Sequence, residues 1–412
     1  MSQSLSCIEC GSVFSLSEIR YRCDCGGLLE VKQPQTAFEK IGPKDFDKRL
    51  LSRKPIDVSG VWRFRELLLD CLEDEIISHP EGGTHLYKRN RFSEFSGVDD
   101  IYLKHEGENP TGSFKDRGMT CAITQAKRLG VRSVGCASTG NTSASLAAYA
   151  AQAGLSAAVF LPAGKVAAGK LSQAIGFGAR CLSLKGDFDD AMKMVKVLAE
   201  GGDLYMVNSL NPFRLEGQKT VMWEMLQNLS WQSPDWVVVP GGNLGNTSAF
   251  GKGLKEAYNA GWISKLPRIA TIQASGANPF FRSFNSSFKE YSPIKAETVA
   301  TAVRIGDPVN YKKARRVIKD LDGVVCEVSD TEILAAKSII DSQGVGCEPA
   351  SASSLAGVKK LVTEGTIKKS DSVVAILTGH MLKDTEAIMA CTGNKLIDAE
   401  ANIASVKKFL DL

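Results

Sequence analysis

The stretch Asn109-Pro110-Thr111-Gly112-Ser113-Phe114-Lys115-Asp116-Arg117 sets one lysine at the end of a turn of small residues, where a helical pattern begins. A lysine amine held there can form an imine with a carbonyl compound, provided that it is partly deprotonated. Burial and nearby cations favour deprotonation, because both disfavour the charged form. Alone, such a lysine is an ordinary exposed residue at a helix start. Three further stretches give it a chemical context. Ala137-Ser138-Thr139-Gly140-Asn141-Thr142-Ser143 follows an apolar run and precedes an Ala-rich helical pattern. The first amides of that helix, with the hydroxyls of Ser138, Thr139 and Thr142, form a cradle for a carboxylate. Pro240-Gly241-Gly242-Asn243-Leu244-Gly245-Asn246-Thr247 follows a buried-strand pattern, and its glycines allow close backbone approach to a phosphate. Leu377-Thr378-Gly379-His380 ends another apolar run. Strand-turn-helix junctions are rich in Gly and Ser for steric reasons, so each stretch by itself carries little. Together they supply a lysine, a phosphate cup, a carboxylate cradle and a hydroxyl. That set suits pyridoxal 5'-phosphate, whose aldehyde needs a lysine and whose phosphate needs a glycine-rich cup.

The elements that must position these residues are legible as alternating short apolar runs and helical patterns. Strands are expected at Ile101 to His105, Ser133 to Ala137, Ala157 to Leu161, Arg180 to Leu184, Leu204 to Asn208, Trp236 to Pro240, Ile269 to Ala274 and Val373 to Leu377. Helices are expected at Arg117 to Leu129, Gly140 to Ala153, Asp189 to Glu200, Leu215 to Leu229 and Thr331 to Ser342. This alternation predicts an α/β fold with parallel-rich sheets, in which ligands sit beyond the carboxyl ends of the strands. The stretch between Pro293 and Asn310 has weak periodicity and reads as a connecting excursion.

Composition narrows the classes. A chain of 412 residues can bury a sizeable core and has room for two or three domains. A net charge of +4, evenly spread, leaves no footprint for nucleic acid. No apolar run reaches the about 18 residues that a membrane span needs. The N-terminus lacks the basic and apolar regions of a secretory signal. Cys121, Cys136, Cys181 and Cys326 sit singly in apolar or helical stretches and read as small buried hydrophobes in a reducing cytoplasm. Cys7-Ile-Glu-Cys10-Gly and Cys23-Asp-Cys25-Gly differ: two cysteine pairs, each followed by glycine, match the knuckles of a zinc ribbon. The second knuckle is one residue short, which leaves two readings open, a structural zinc on Cys7, Cys10, Cys23 and Cys25 or a ribbon that folds without metal. His79, His85, His105 and His380 have no metal-like spacing and read as structural, with His380 placed to shape the cofactor pocket.

Between Glu81-Gly82-Gly83-Thr84 and Thr378-Gly379-His380-Met381-Leu382-Lys383-Asp384, the order of motifs resembles the threonine synthases, pyridoxal-phosphate enzymes of fold type II in the tryptophan-synthase β-like group. Within that span lie Leu161-Pro162-Ala163-Gly164, Val207-Asn208-Ser209-Leu210-Asn211-Pro212, Arg214-Leu215-Glu216-Gly217-Gln218-Lys219-Thr220 and Cys347-Glu348-Pro349-Ala350-Ser351-Ala352. The resemblance implies a two-domain enzyme behind the cysteine segment of residues 1–36, with a large cofactor domain of 37–127 and 206–412 and a small α/β domain of 128–205. It implies a carbon-oxygen lyase that converts O-phospho-L-homoserine and water to L-threonine and phosphate, the last step of threonine biosynthesis. By that resemblance Lys115 holds the cofactor as an imine and then serves as base. Asn141 meets the ring hydroxyl, Thr378 the pyridine nitrogen, and Gly242, Asn243, Leu244, Gly245 and Asn246 the cofactor phosphate. Ser138, Thr139 and Thr142 take the substrate carboxylate, and Asn208, Ser209 and Arg214 the leaving phosphate, since a guanidinium fork can bond two oxygens of one phosphate. A cytoplasmic homodimer without nucleic-acid or membrane partners is expected. His85 stands where the family commonly has proline, a change of local rigidity more than of chemistry.

Competing readings are a related fold type II enzyme (a cysteate synthase or a threonine dehydratase) and a zinc-ribbon binding module without catalysis. Arg214 with Asn208 and Ser209 favours a phosphorylated substrate, and intact Lys115 and Asn141 disfavour the binding module. A nicotinamide-dependent oxidoreductase is weaker still as a reading, because no strand is followed by Gly-x-Gly-x-x-Gly.

Overall fold

The protein is described from a computed structural model covering residues 3–164, 168–392 and 398–410. Strands β1 (Ser4–Cys7), β2 (Val13–Phe14) and β3 (Leu29–Lys32) form a small antiparallel sheet in the order β2-β1-β3. Next come β4 (Leu86–Tyr87) and β5 (Asp100–His105), then the four strands of a second sheet. These are β6 (Ser133–Ala137), β7 (Ser156–Pro162), β8 (Arg180–Leu184) and β9 (Tyr205–Met206), all parallel in the order β8-β7-β6-β9. The chain then returns to add β10 (Trp236–Pro240), β11 (Arg268–Ala274), β12 (Val324–Val328) and β13 (Ser372–Leu377) beside β5. The third sheet runs β12-β11-β10-β13-β5-β4 and is parallel except at β4.

The α/β expectation with parallel-rich sheets is met. In β10, Val237 and Val239 enter one hydrophobic core while Trp236 and Val238 enter the other, because successive strand side chains point to opposite faces. With both faces covered, such strands read as continuous apolar runs. The expected strand Leu204 to Asn208 shrinks to Tyr205–Met206, since the chain must turn before Pro212 opens the next helix. Five strands, β1 to β4 and β12, lie outside the expected set, as does the Pro349–Thr363 helix.

The Lys115–Arg128 helix is buried over most of its surface against the Pro212–Asn228 helix. They cross backbone to backbone: a Cβ at Gly217 would fall 1.7 Å from Arg117 O, and one at Gly118 would fall 2.8 Å from Arg214 O. Only glycine allows that approach, at a helix-propensity cost of about 1 kcal/mol each. Around the crossing lies a fully buried set of two cations and two anions. Arg117 donates to Glu106 at 2.6 and 2.8 Å and to Glu224 at 2.7 Å. Lys104 Nζ donates to Glu224 Oε1 at 2.7 Å, Thr84 O at 2.6 Å and Asn228 Oδ1 at 2.8 Å. Glu224 also accepts from the amides of Gly83 and Thr84, which draws the Glu81 to Thr84 loop into the network. The cations beside Glu224 hold its carboxyl well below the ordinary range against the desolvation that opposes this.

Removing one member strands its partners in a dry site. Glu224→Ala is expected to cost about 3–5 kcal/mol of unfolding free energy, read from urea denaturation of the cofactor-free protein. A loss below about 1 kcal/mol would show that the network is not a structural keystone.

Candidate active site

From the carboxyl end of β5 the chain turns at Asn109 to Gly112, where Gly112 N donates to Asn109 O at 2.7 Å. Gly112 has a φ of +83°, and a Cβ there would stand 2.9 Å from Lys383 Cε, so the turn needs glycine. Phe114 N donates to Thr378 O at 3.0 Å, His380 N to Gly112 O at 2.9 Å, and Glu348 N to Gly379 O at 3.1 Å. Three loops are thereby stitched together, and Lys115 begins the helix that leaves them. Its Nζ stands 3.8 Å from the centre of the Phe114 ring and, among the described residues, makes no hydrogen bond or ion pair. Burial, and then the guanidinium of Arg214, lower its pKa to about 7 against the opposing pull of Glu348.

Glu348 is the residue that sequence reasoning missed as a site member. Asn141 Nδ2 donates to its two oxygens at 3.2 and 3.0 Å, and Thr378 Oγ1 to one of them at 3.3 Å. Desolvation raises its pKa. Ser351 joins the same group, its Oγ 3.0 Å from Thr378 Oγ1 and accepting from Gly379 N at 2.9 Å. Both residues lie in the Cys347 to Ala352 motif, so the signal was present without a role attached to it.

Beyond β10 the turn enters the Gly245–Asn259 helix through Leu244, a buried leucine with φ of +60°. Left-handed backbone at a non-glycine residue costs about 1–2 kcal/mol and persists where the surroundings demand it. Among the described residues, no acceptor takes a hydrogen bond from the amides of Gly242, Asn243, Leu244, Gly245, Asn246 or Thr247. Buried amides are otherwise nearly always paired, so this run is a ready anion cup at a helix N-terminus. Asn246 Oδ1 and the nearby Gln218 Oε1 are also buried without partners.

Beyond β6, Ser138 Oγ accepts from Gly140 N at 3.3 Å, while the hydroxyls of Thr139 and Thr142 make no hydrogen bond among the described residues. Beyond β9, the Asn208 amide pairs twice with the backbone of Ala137, accepting from N at 3.2 Å and donating to O at 3.0 Å. One of its two N–H donors is therefore engaged in fastening the cradle to its neighbour. Ser209 O accepts from Asn310 Nδ2 at 3.2 Å, and Asn310 N donates to Asn243 O at 3.2 Å, which ties this segment to the cup. Arg214 is 2% exposed; Nη1 donates to Val207 O at 3.1 Å, Nε has no partner, and no carboxylate pairs with it among the described residues. In the N-terminal ribbon, Cys7 Sγ and Cys25 Sγ lie 3.5 Å apart, as do those of Cys10 and Cys23, and all four sulfurs fall within 4.8 Å.

A buried lysine of lowered pKa, a run of unpaired amides at the start of the Gly245–Asn259 helix and the joined polar groups of Asn141, Glu348 and Thr378 fit pyridoxal phosphate. The sequence pattern of the pyridoxal-phosphate dependent enzymes matches residues 77–379. A threonine synthase of Methanocaldococcus jannaschii is 48% identical over 400 residues, 96% of this chain and 97% of that one. A threonine synthase of Methanosarcina acetivorans is 45% identical over 408 residues, 98% of each. The solved threonine synthase of Escherichia coli shares the fold, with a TM-score of 0.72, 17% identity and coverage of 99% of both chains. The chain therefore belongs to the pyridoxal-phosphate dependent enzymes and, among them, to the threonine synthases. Its cofactor is pyridoxal phosphate, and it is a lyase of threonine biosynthesis.

The lysine environment makes a pH prediction. Folded Lys115 gives up its proton near pH 7 and an unfolded one near pH 10.5, so the unfolded chain binds more protons between them. The cofactor-free protein should gain stability as pH rises through that window, and capture of pyridoxal phosphate should accelerate with a midpoint near pH 7. Arg214→Ala should move that midpoint upward, measured by stopped-flow absorbance; an unmoved midpoint would remove Arg214 as a cause.

Proposed function

We propose that the chain converts O-phospho-L-homoserine and water into L-threonine and inorganic phosphate. The observation that carries this reading is Arg214, a buried guanidinium with an unpartnered Nε and no carboxylate partner among the described residues. An unpaired buried charge costs several kcal/mol, a cost that a bound anion offsets. A substrate phosphate is such an anion, and the cofactor phosphate has its own amide cup.

Bound at Lys115, pyridoxal phosphate supplies the electron sink that stabilises negative charge beside the substrate amino group. Lys115, poised near neutrality, takes the proton from substrate Cα as general base. The Cβ proton is also lost as phosphate leaves Cγ; Cγ then takes a proton and becomes the methyl group, water delivers its hydroxyl to Cβ, and a proton returns to Cα. Thr139, Thr142 and the free amides of the Asn141–Ala153 helix orient the carboxylate, with Ser138 holding the turn. Ser209 and Arg214 receive the phosphate, and Asn208 keeps their segment against the cradle through Ala137. An anion at Arg214 also relieves the repulsion that lowers the Lys115 pKa, so the base strengthens when substrate is loaded. Asn141 and Thr378 would meet the ring hydroxyl and the pyridine nitrogen of the cofactor, and Gly242 to Asn246 would hold its phosphate. Residues 128–205 form the smaller of two domains, and the enzyme is a cytoplasmic homodimer. Ten described cysteines without a disulfide suit that reducing compartment.

Phosphate release from O-phospho-L-homoserine, with threonine identified as co-product, tests the reaction. Arg214→Ala and Arg214→Lys should each lower kcat/KM; losing a charged hydrogen bond costs about 1.5–3 kcal/mol, roughly ten- to hundredfold. Cofactor content should stay at the wild-type level, and an Arg214→Ala enzyme as fast as wild type would remove the argument.

We also infer a structural zinc on Cys7, Cys10, Cys23 and Cys25. A tetrahedral site with Zn–S bonds of about 2.3 Å has sulfur–sulfur edges of about 3.8 Å, close to the observed spacing of the paired sulfurs. With four thiolates no coordination position is left open for catalysis. One zinc per chain is expected by elemental analysis. Cys7→Ser with Cys10→Ser should lose the metal and lower Tm, while kcat of the folded fraction holds.

A further inference from the structure

We propose that Tyr21, on the cysteine ribbon, is a positioning residue for the segment Tyr205 to Arg214 and thereby for the hold on the substrate phosphate. This rests on the reading that Ser209 and Arg214 bind that phosphate. The β9 strand is only two residues long and forms one edge of its sheet. Val207 N donates inward to Gly135 O at 3.0 Å, so the polar groups of Met206 turn outward, where a sheet edge leaves them unpaired. Tyr21 Oη accepts from Met206 N at 2.7 Å, and Asn211 Nδ2 donates to Met206 O at 3.0 Å.

The same Asn211 caps the next helix through Phe213 N at 3.0 Å, with Arg214 in the first turn. Arg214 in turn bonds Val207 O. Tyr21 is therefore one end of a hydrogen-bonded frame whose other end is the guanidinium. Its ring packs on Tyr205, centroids 6.0 Å apart, and touches the apolar clusters on both faces of the sheet. The ribbon that carries it is anchored elsewhere. Lys313 Nζ donates to Leu29 O at 2.6 Å and Lys252 Nζ to Val31 O at 2.5 Å, from helices beside the cofactor cup. Gln125 Nε2, on the lysine helix, donates to Leu16 O at 2.8 Å. The ribbon thus braces the edge strand against the body that holds the lysine and the cup.

Tyr21→Phe removes the acceptor and keeps the ring. In the holoenzyme, KM for O-phospho-L-homoserine should rise about three- to tenfold, the effect of one net hydrogen bond, with kcat within about twofold. The Kd of pyridoxal phosphate, from fluorescence titration of the cofactor-free protein, should be unchanged. Hydrogen exchange in the peptide containing Met206 should accelerate. Unchanged exchange refutes the contact, and accelerated exchange with unchanged KM refutes its role in positioning. Parallel losses in KM, kcat, cofactor affinity and Tm mark a general structural role and also overturn the proposal. Arg214→Ala, run alongside, separates the two ideas. If it leaves KM unchanged, the phosphate reading fails; if it raises KM while Tyr21→Phe does not, only the Tyr21 proposal fails.

Discussion

The buried set of Lys104, Glu106, Arg117 and Glu224 is the interaction on which the rest of the site depends. It joins β5, the loop after it, the lysine helix, the Pro212–Asn228 helix and the Glu81 to Thr84 loop, at side chains that are 0–1% exposed. Two positive and two negative groups cancel in net charge, and each carboxylate also accepts hydrogen bonds from amides or hydroxyls. That satisfaction is what makes a dry ion network tolerable, because desolvation is otherwise larger than the Coulombic gain. Two residues before Arg117 stands Lys115, so whatever fixes the guanidinium also fixes the start of the lysine helix.

Next to this neutral network the group of Lys115, Arg214 and Glu348 is electrically unbalanced. Lys115 is driven toward the neutral amine, the Arg214 pKa is lowered to about 10 by burial, and that of Glu348 is raised by it. All three shifts share desolvation as the first cause, and the unpartnered donors include Arg214 Nε and the amides of Gly242 to Thr247. Such a balance favours a bound anion, and an anion beside Arg214 raises the Lys115 pKa. Preorganised donors of this kind require no rearrangement when charge develops, which is the usual source of catalytic electrostatics.

The ribbon extends this logic to the outside of the molecule. It packs over the helices beside the phosphate cup and reaches the exposed edge of the small sheet with one phenol. A short edge strand is a weak place to mount a binding segment, and here both outward groups of Met206 are bonded by side chains instead of left to water.

What the sequence by itself determined follows from local chemistry. Short apolar runs marked β6, β10 and β13, proline and glycine marked the helix entries and turns, and the four chemistry-bearing stretches were each contained within fewer than ten residues. A turn that needs small residues shows them wherever the chain folds. The tertiary structure alone decided which distant groups meet. Glu348 finds Asn141, Asn208 pairs with Ala137, Cys25 closes on Cys7 despite the short knuckle, and Tyr21 reaches Met206. Each of these contacts spans between 18 and 207 residues, and no periodicity within a strand or helix encodes a pairing at that range. Position along the chain sets the local conformation; the buried network and the sheet order set the rest, because only in the packed state must every desolvated polar group find its partner.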